Sequence, residues 1–209
     1  MSNWFVTGIT NRNIEFTRAE FQFLDFVSGI NDPTNPDLRA FSSRGGKLLM
    51  WEGYADQGTS FRGTLNYYAA VRRLLGPTAA SSFMSLYLLP GVYHCAGAPI
   101  AATFDFLTPL TAWVEDRVPP GKAIVSYRTT GDATSPVTRT RPAFPYPATS
   151  VYTGQGNVND AANYVQGPPT RGVSDVLPWL GLKHYRASHQ VSCEVIDGKV
   201  QCEPEITND

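Results

Sequence analysis

Asp56 and His94 are the residues of this 209-residue chain whose types and placement suit acid/base chemistry, each lying just past the end of a short apolar run. Brought together, a carboxylate orients an imidazole, fixes its tautomer and stabilises the imidazolium, so the ring can take a proton from a hydroxyl and return it to a leaving group. By default a lone histidine is a hydrogen-bonded structural residue and a loop aspartate is a turn cap, so position has to separate the readings. Glu52 stands close to Asp56 but within the strand end, and it ranks below Asp56 as the orienting acid.

The runs that would position the pair are legible. Lys47-Leu48-Leu49-Met50-Trp51, between Gly45-Gly46 and Gly53, reads as a strand buried on both faces of a parallel sheet. Phe83 to Leu89 reads as a second strand, stopped by Pro90-Gly91 before Val92-Tyr93-His94-Cys95. Between them, Thr64 to Leu75 carries Tyr67, Val71 and Leu74 at helical spacing and closes with the stop signal Gly76-Pro77. Strand, helix and strand form a crossover unit with parallel strands, so both following loops emerge on one edge of the sheet. The spacing therefore predicts Asp56 and His94 within hydrogen-bond reach, roughly 3 Å between heavy atoms.

An acid after one strand and a histidine after the next is the second half of the Ser, Asp, His order of α/β-hydrolases, but no Gly-x-Ser-x-Gly occurs in the chain. Gly58-Thr59-Ser60-Phe61-Arg62-Gly63 has one residue too many and follows the acid. Gly172-Val173-Ser174-Asp175-Val176 lacks the second glycine. Cys95 as a nucleophile is disfavoured, because adjacent residues project in different directions and Cys95 would have to reach back to His94.

Around these residues the sequence resembles the C-terminal portion of the tannase and feruloyl esterase family, from about Asn35 to Asn163. The resemblance is carried by Asn35-Pro36-Asp37-Leu38, Arg44-Gly45-Gly46-Lys47-Leu48, Trp51 with Gly53, Ala55-Asp56, Gly63-Thr64 with Tyr67-Tyr68, and Pro90-Gly91 with His94-Cys95. It continues through Phe104-Asp105, Trp113-Val114-Glu115, Arg139-Thr140-Arg141-Pro142, Pro145-Tyr146-Pro147 and Asn159-Asp160-Ala161-Ala162-Asn163. In that family the nucleophilic serine follows a cysteine, the histidine precedes one, and a disulfide joins the two. The resemblance thus implies His94 as base, Asp56 as acid and Cys95 as a cysteine whose family partner is absent from these residues. The Cys-Ser element and the inserted lid domain are expected upstream of residue 1. The family's cysteines near the Arg-Pro and Asn-Asp-Ala-Ala elements are replaced here, Phe144 and Tyr164-Val165-Gln166 occupying their neighbourhoods.

A net charge of −1 with no basic run longer than Arg72-Arg73 gives no support for nucleic acid or an anionic membrane as partner. The longest apolar stretches are strand-sized, far short of the roughly 20 residues of a membrane span. Met1 to Thr10 lacks the basic and apolar regions of a secretory signal, so a secreted location is implied by the family resemblance alone. Ahead of the first strand, a short helix is expected from Thr17, then a turn-rich linker over Asn31 to Asp37, then a short helix over Asp37 to Ser42. Beyond His94, a helix is expected within Phe104 to Asp116, with Pro109 in its first turn, and a strand over Lys122 to Arg128. From Thr129 an extended surface segment is expected, anchored by Tyr146 and Tyr152.

In the tail, His184, His189, Cys193 and Cys202 stand in an order that invites zinc, but Cys-x8-Cys is an unusual zinc spacing. A hairpin turning at Asp197-Gly198 explains it better, pairing Ile196 with Lys199 and, counting outward, Cys193 with Cys202 as a disulfide. The fold is expected to be α/β, the C-terminal part of an α/β-hydrolase fold with a partial, mostly parallel sheet, over residues 1–166, followed by a tail with a β-hairpin over 167–209. The leading functional reading is the acid- and base-bearing part of a serine esterase for small aromatic esters such as galloyl or feruloyl esters, with no cofactor. The other reading is a non-catalytic remnant or binding scaffold. Self-association is expected through a sheet edge left exposed where the nucleophile's strand would pair.

Overall fold

The computed structural model describes residues 17–19, 35–94, 102–130, 132 and 134–169, and the backbone of Val191–Ile196 and Lys199–Pro204. One compact unit spans Pro36–Trp179, and the two C-terminal strands belong to another. The segments expected at residues 1–34 lie outside the described residues, apart from a brief helical stretch next to Thr17. Cys95, Ser174, His184 and His189 lie outside them as well.

The larger unit begins with α1 (Arg39–Ser43), followed by β1 (Leu48–Gly53), α2 (Phe61–Leu75), α3 (Pro77–Ser81) and β2 (Met84–Leu89). Strands β1 and β2 pair in parallel from Leu48↔Met84 to Gly53↔Leu89, the predicted crossover. Helix α2 starts three residues earlier than the apolar spacing predicts, because the Ser60 side chain caps it by accepting from the Arg62 N–H. Arg72 and Arg73 fall in its last turn, where their charge complements the helix dipole. It stops at Gly76, whose φ of +85° suits glycine, and Pro77 opens α3. Tyr68 and Val71 of α2 pack with Ala80, Phe83, Met84 and Leu86 in one core cluster.

A second cluster joins the parallel pair to an antiparallel sheet. That sheet runs in the order β3 (Ala102–Thr103), β4 (Ala123–Arg128), β5 (Val137–Ala143). Tyr87 and Leu89 of β2 pack there with Val92, Val125, Tyr127 and Ala143, backed by Trp51, Phe104 and Phe106. The Tyr127 hydroxyl donates to the Pro90 carbonyl, so β4 also holds the turn that follows β2. Helix α4 (Leu107–Glu115) carries Pro109 in its first turn, as expected, and buries Trp113.

Three expectations change. The described sheets are small and only β1–β2 is parallel, so "mostly parallel" does not describe this portion. Parallel strands need a crossover long enough to carry a helix, whereas β4 and β5 are joined by a short loop and pair antiparallel. Strand β1 is half-buried along Leu48–Glu52, not covered on both faces, while β2 is almost wholly buried. The stretch after Thr129 is also more regular than an extended surface segment. It supplies β5, and then β6 (Thr149–Tyr152) pairs with β7 (Tyr164–Gly167) across a 3-10 turn at Ala161–Asn163. Tyr146 does anchor, its N–H donating to the Leu86 carbonyl at 2.7 Å and its ring meeting Tyr68 edge-on. Tyr152 stacks at a tilt with Tyr164.

In the other unit, β8 (Val191–Ile196) and β9 (Lys199–Pro204) form an antiparallel hairpin. Its register pairs Ile196 with Lys199, Val195 with Val200, Glu194 with Gln201 and Cys193 with Cys202.

Candidate active site

The site is assembled where β1 and β2 end. Beyond the Gly53↔Leu89 pair, the Tyr54 N–H donates to the Leu89 carbonyl at 3.0 Å and the Ala55 N–H to the Val92 carbonyl at 3.1 Å. The two loops are therefore laced together by main chain before either functional side chain is reached. Gly53 permits this closeness, since a Cβ there would lie 2.3 Å from the Val92 carbonyl oxygen. Val92 itself is fully buried and fixes the start of the histidine loop.

His94 Nδ1 lies 2.7 Å from Asp56 Oδ2. The other contacts of Asp56 all come from the turn that follows it. Oδ1 accepts from the N–H groups of Gly58 at 2.6 Å and Thr59 at 3.0 Å, and Oδ2 accepts from the Thr59 hydroxyl at 2.8 Å. Four donors on two oxygens hold the carboxylate in one orientation, with its side chain only 3% exposed. The Thr59 N–H is the largest influence on its acidity. Partial burial opposes it, but His94, the Thr59 hydroxyl and the Gly58 N–H add to it, and the pKa is held far below the usual carboxylate range.

An ionised Asp56 can only accept, so the proton of the shared bond sits on His94 Nδ1. That leaves Nε2 with its lone pair, on a ring whose side chain is 46% exposed. The arrangement is a base with a fixed tautomer and a carboxylate placed to stabilise the imidazolium once Nε2 takes a proton.

The other sequence candidates fall into place by contact. Glu52 accepts from the Thr64 hydroxyl of α2 at 2.8 Å, so it serves the strand–helix packing and not the imidazole. Ser60 is the cap of α2. Gly58 and Thr59, which precede it in a stretch that fails as a nucleophile motif, are the cradle of the acid. Asp-x-Gly-Thr after a strand carries that signal, because a short acidic side chain bonds the N–H groups two and three residues on. Among the described residues no group of three or more His, Cys, Asp or Glu is placed to hold a metal.

The family model described as "Tannase and feruloyl esterase" matches residues 8–166. The chain belongs to the tannase and feruloyl esterase family. It is 38% identical over 148 residues to a mono(2-hydroxyethyl) terephthalate hydrolase of Piscinibacter sakaiensis, covering 71% of this chain and 24% of that protein. A probable feruloyl esterase of Arthroderma benhamiae is 35% identical over 149 residues, covering 68% of this chain and 27% of that one. Among solved structures, an esterase from Aspergillus oryzae superposes with a TM-score of 0.64 at 24% identity, covering 75% of this chain and 35% of that one. These likenesses bear out the family resemblance and place the mixed helix and strand fold among esterase structures. The chain spans between about a quarter and three tenths of the length of the curated relatives it matches.

Proposed function

We propose that this chain carries the acid and the base of a Ser-His-Asp triad in a carboxylic-ester hydrolase for small aromatic esters of the galloyl or feruloyl kind. The observation that carries the reading is the 2.7 Å contact of His94 Nδ1 with an Asp56 already saturated by three other donors. His94 Nε2 takes the proton of a serine hydroxyl as that oxygen attacks the ester carbonyl, and returns it to the departing alcohol. The acyl-enzyme is then opened by water, with the same nitrogen acting first as base and then as acid. Asp56 stays ionised throughout. The nucleophile and its oxyanion donors belong to the part of the family's domain that these 209 residues do not span.

The aromatic acyl group is supported by the relatives, which are named for feruloyl and terephthalate esters. A secreted location and a Cys193–Cys202 disulfide form part of the same proposal. Support comes from the hairpin register that sets the two cysteines opposite each other, and disulfides persist in oxidising compartments. The test is to mix the purified chain with a polypeptide bearing the family's nucleophile portion and assay methyl ferulate and methyl gallate. Turnover by the mixture that His94→Ala abolishes supports the reading. Turnover by the 209-residue chain alone, abolished by His94→Ala, would place a nucleophile within it and overturn the reading.

A further inference from the structure

The loop that carries Asp56 leaves β1 at Tyr54 and enters α2 at Phe61, and the aromatic side chains at its two ends meet. Their ring centroids are 4.8 Å apart and their planes stand at 75°, an edge-to-face contact. Tyr54 is 40% exposed, and neither ring belongs to either core cluster. The contact therefore adds little to the core, and what it closes is the acid's loop. That loop is otherwise held at one end. At its start the Tyr54 and Ala55 N–H groups are laced to the Leu89 and Val92 carbonyls, on the histidine side. Past that point the donors to the carboxylate, His94 apart, all come from the turn itself, so acid and turn form one unit whose own bonds survive if the unit moves.

Gly58, within that turn, lies against the imidazole: a Cβ there would stand 3.8 Å from His94 Nδ1 and 3.9 Å from Cγ. A shift of the turn thus displaces both the acid and the surface beside the ring. The ring of Phe61 ties the far end of the turn to the laced end at Tyr54. We propose that Tyr54 and Phe61 are positioning residues, whose edge-to-face contact clasps the acid's loop and sets the distance between Asp56 Oδ2 and His94 Nδ1. Without the clasp the saturated carboxylate swings away with its turn, and the imidazole loses the acceptor that fixes its tautomer. The inference rests on reading Asp56 and His94 as an acid/base pair, but it needs neither a nucleophile nor an ester.

The test uses the 209-residue chain and the imidazole nitrogen and low-field proton spectra of His94, which read its tautomer and the exchange of the Nδ1–H with water. Phe61→Ala should speed that exchange roughly two- to tenfold, the contribution of one aromatic pair, and turn a single Nδ1–H tautomer into a mixture. Tyr54→Ala should do the same, and the double variant no more than either alone, since both changes delete one contact. Tyr54→Phe and Phe61→Tyr keep the rings and should match the parent. The hydrogen-bonded amide signals of Gly58 and Thr59 should persist in every variant, because the turn stays whole. Leu75→Ala removes core packing at the other end of α2, so it should lower the urea midpoint and leave the tautomer and exchange unchanged. Parent-like His94 spectra in Phe61→Ala, additive effects in the double variant, loss of the Gly58 and Thr59 signals, or an equal effect of Leu75→Ala would each overturn the clasp. A parent chain without a fixed Nδ1–H tautomer would sink the acid/base pair itself, and the clasp with it. Missing ester turnover in the complemented enzyme would count against the hydrolase reading alone.

Discussion

Gly53 and Val92 touch through main chain alone: a Cβ on Gly53 would stand 2.3 Å from the Val92 carbonyl oxygen, 2.8 Å from its carbon and 2.9 Å from the Tyr93 carbonyl oxygen. The obstacle is backbone on a fully buried residue, so it cannot swing aside as a flexible side chain would. Gly53→Ala is expected to cost about 1–3 kcal/mol, the usual cost of overpacking. It should also part the acid loop from the histidine loop. Urea unfolding reads the first effect, and loss of the protected His94 Nδ1–H proton signal reads the second. A variant as stable as the parent with that proton retained would refute the close approach.

Acid sensitivity follows from Asp56. Its folded pKa lies below the ordinary aspartate value of about 3.9, so the unfolded chain binds more protons as the solution is acidified. The stabilisation is therefore fully present above about pH 5 and is lost as pH falls through the unfolded and then the folded pKa. Asp56→Asn should flatten the part of the urea midpoint that declines between about pH 5 and pH 3. An unchanged decline would mean that other carboxylates, such as Asp105, govern acid stability.

Asp56→Asn should also remove activity in the complemented enzyme by about 10⁴-fold, the scale expected when an orienting carboxylate no longer fixes the tautomer. Thr59→Val, which deletes only the hydroxyl donor to Oδ2, should cost far less, because the backbone donors of Gly58 and Thr59 remain. Methyl ferulate kinetics on the two variants separate these roles. Equal losses would make the turn, and not the charge, the decisive feature.

The cysteine pair is testable chemically. In protein made in an oxidising compartment, peptide mapping without reductant should recover a Cys193–Cys202 linked peptide, since the register sets the two residues opposite each other. Two free thiols would refute it.

The edge of β1 away from β2 has no partner strand among the described residues. Open edges pair with other strands, so the 209-residue chain is expected to self-associate with rising concentration in light scattering. Adding the nucleophile-bearing polypeptide should convert it to a one-to-one complex. A chain that stays monomeric at all concentrations would refute the edge pairing.

Short-range pattern and connectivity control the part of this fold that can be read from residue types. Apolar runs, helical spacing and Gly-Pro punctuation locate β1, α2 and β2, and the parallel strands that such a crossover joins then put the loops of Asp56 and His94 on one edge. Asp197-Gly198, read from the sequence as a two-residue turn, predicts the register that β8 and β9 show, because such a turn leaves only one pairing. Tertiary structure decided the rest. The antiparallel β3–β4–β5 sheet was not legible, since the partner of a strand depends on residues far along the chain and a six-residue run looks alike in either sheet type. The saturation of Asp56 by its own turn, the main-chain contact of Gly53 with Val92 and the meeting of the Tyr54 and Phe61 rings are all distances of a few ångströms. Such distances are set by how buried surfaces pack, and no local pattern of residue types encodes them.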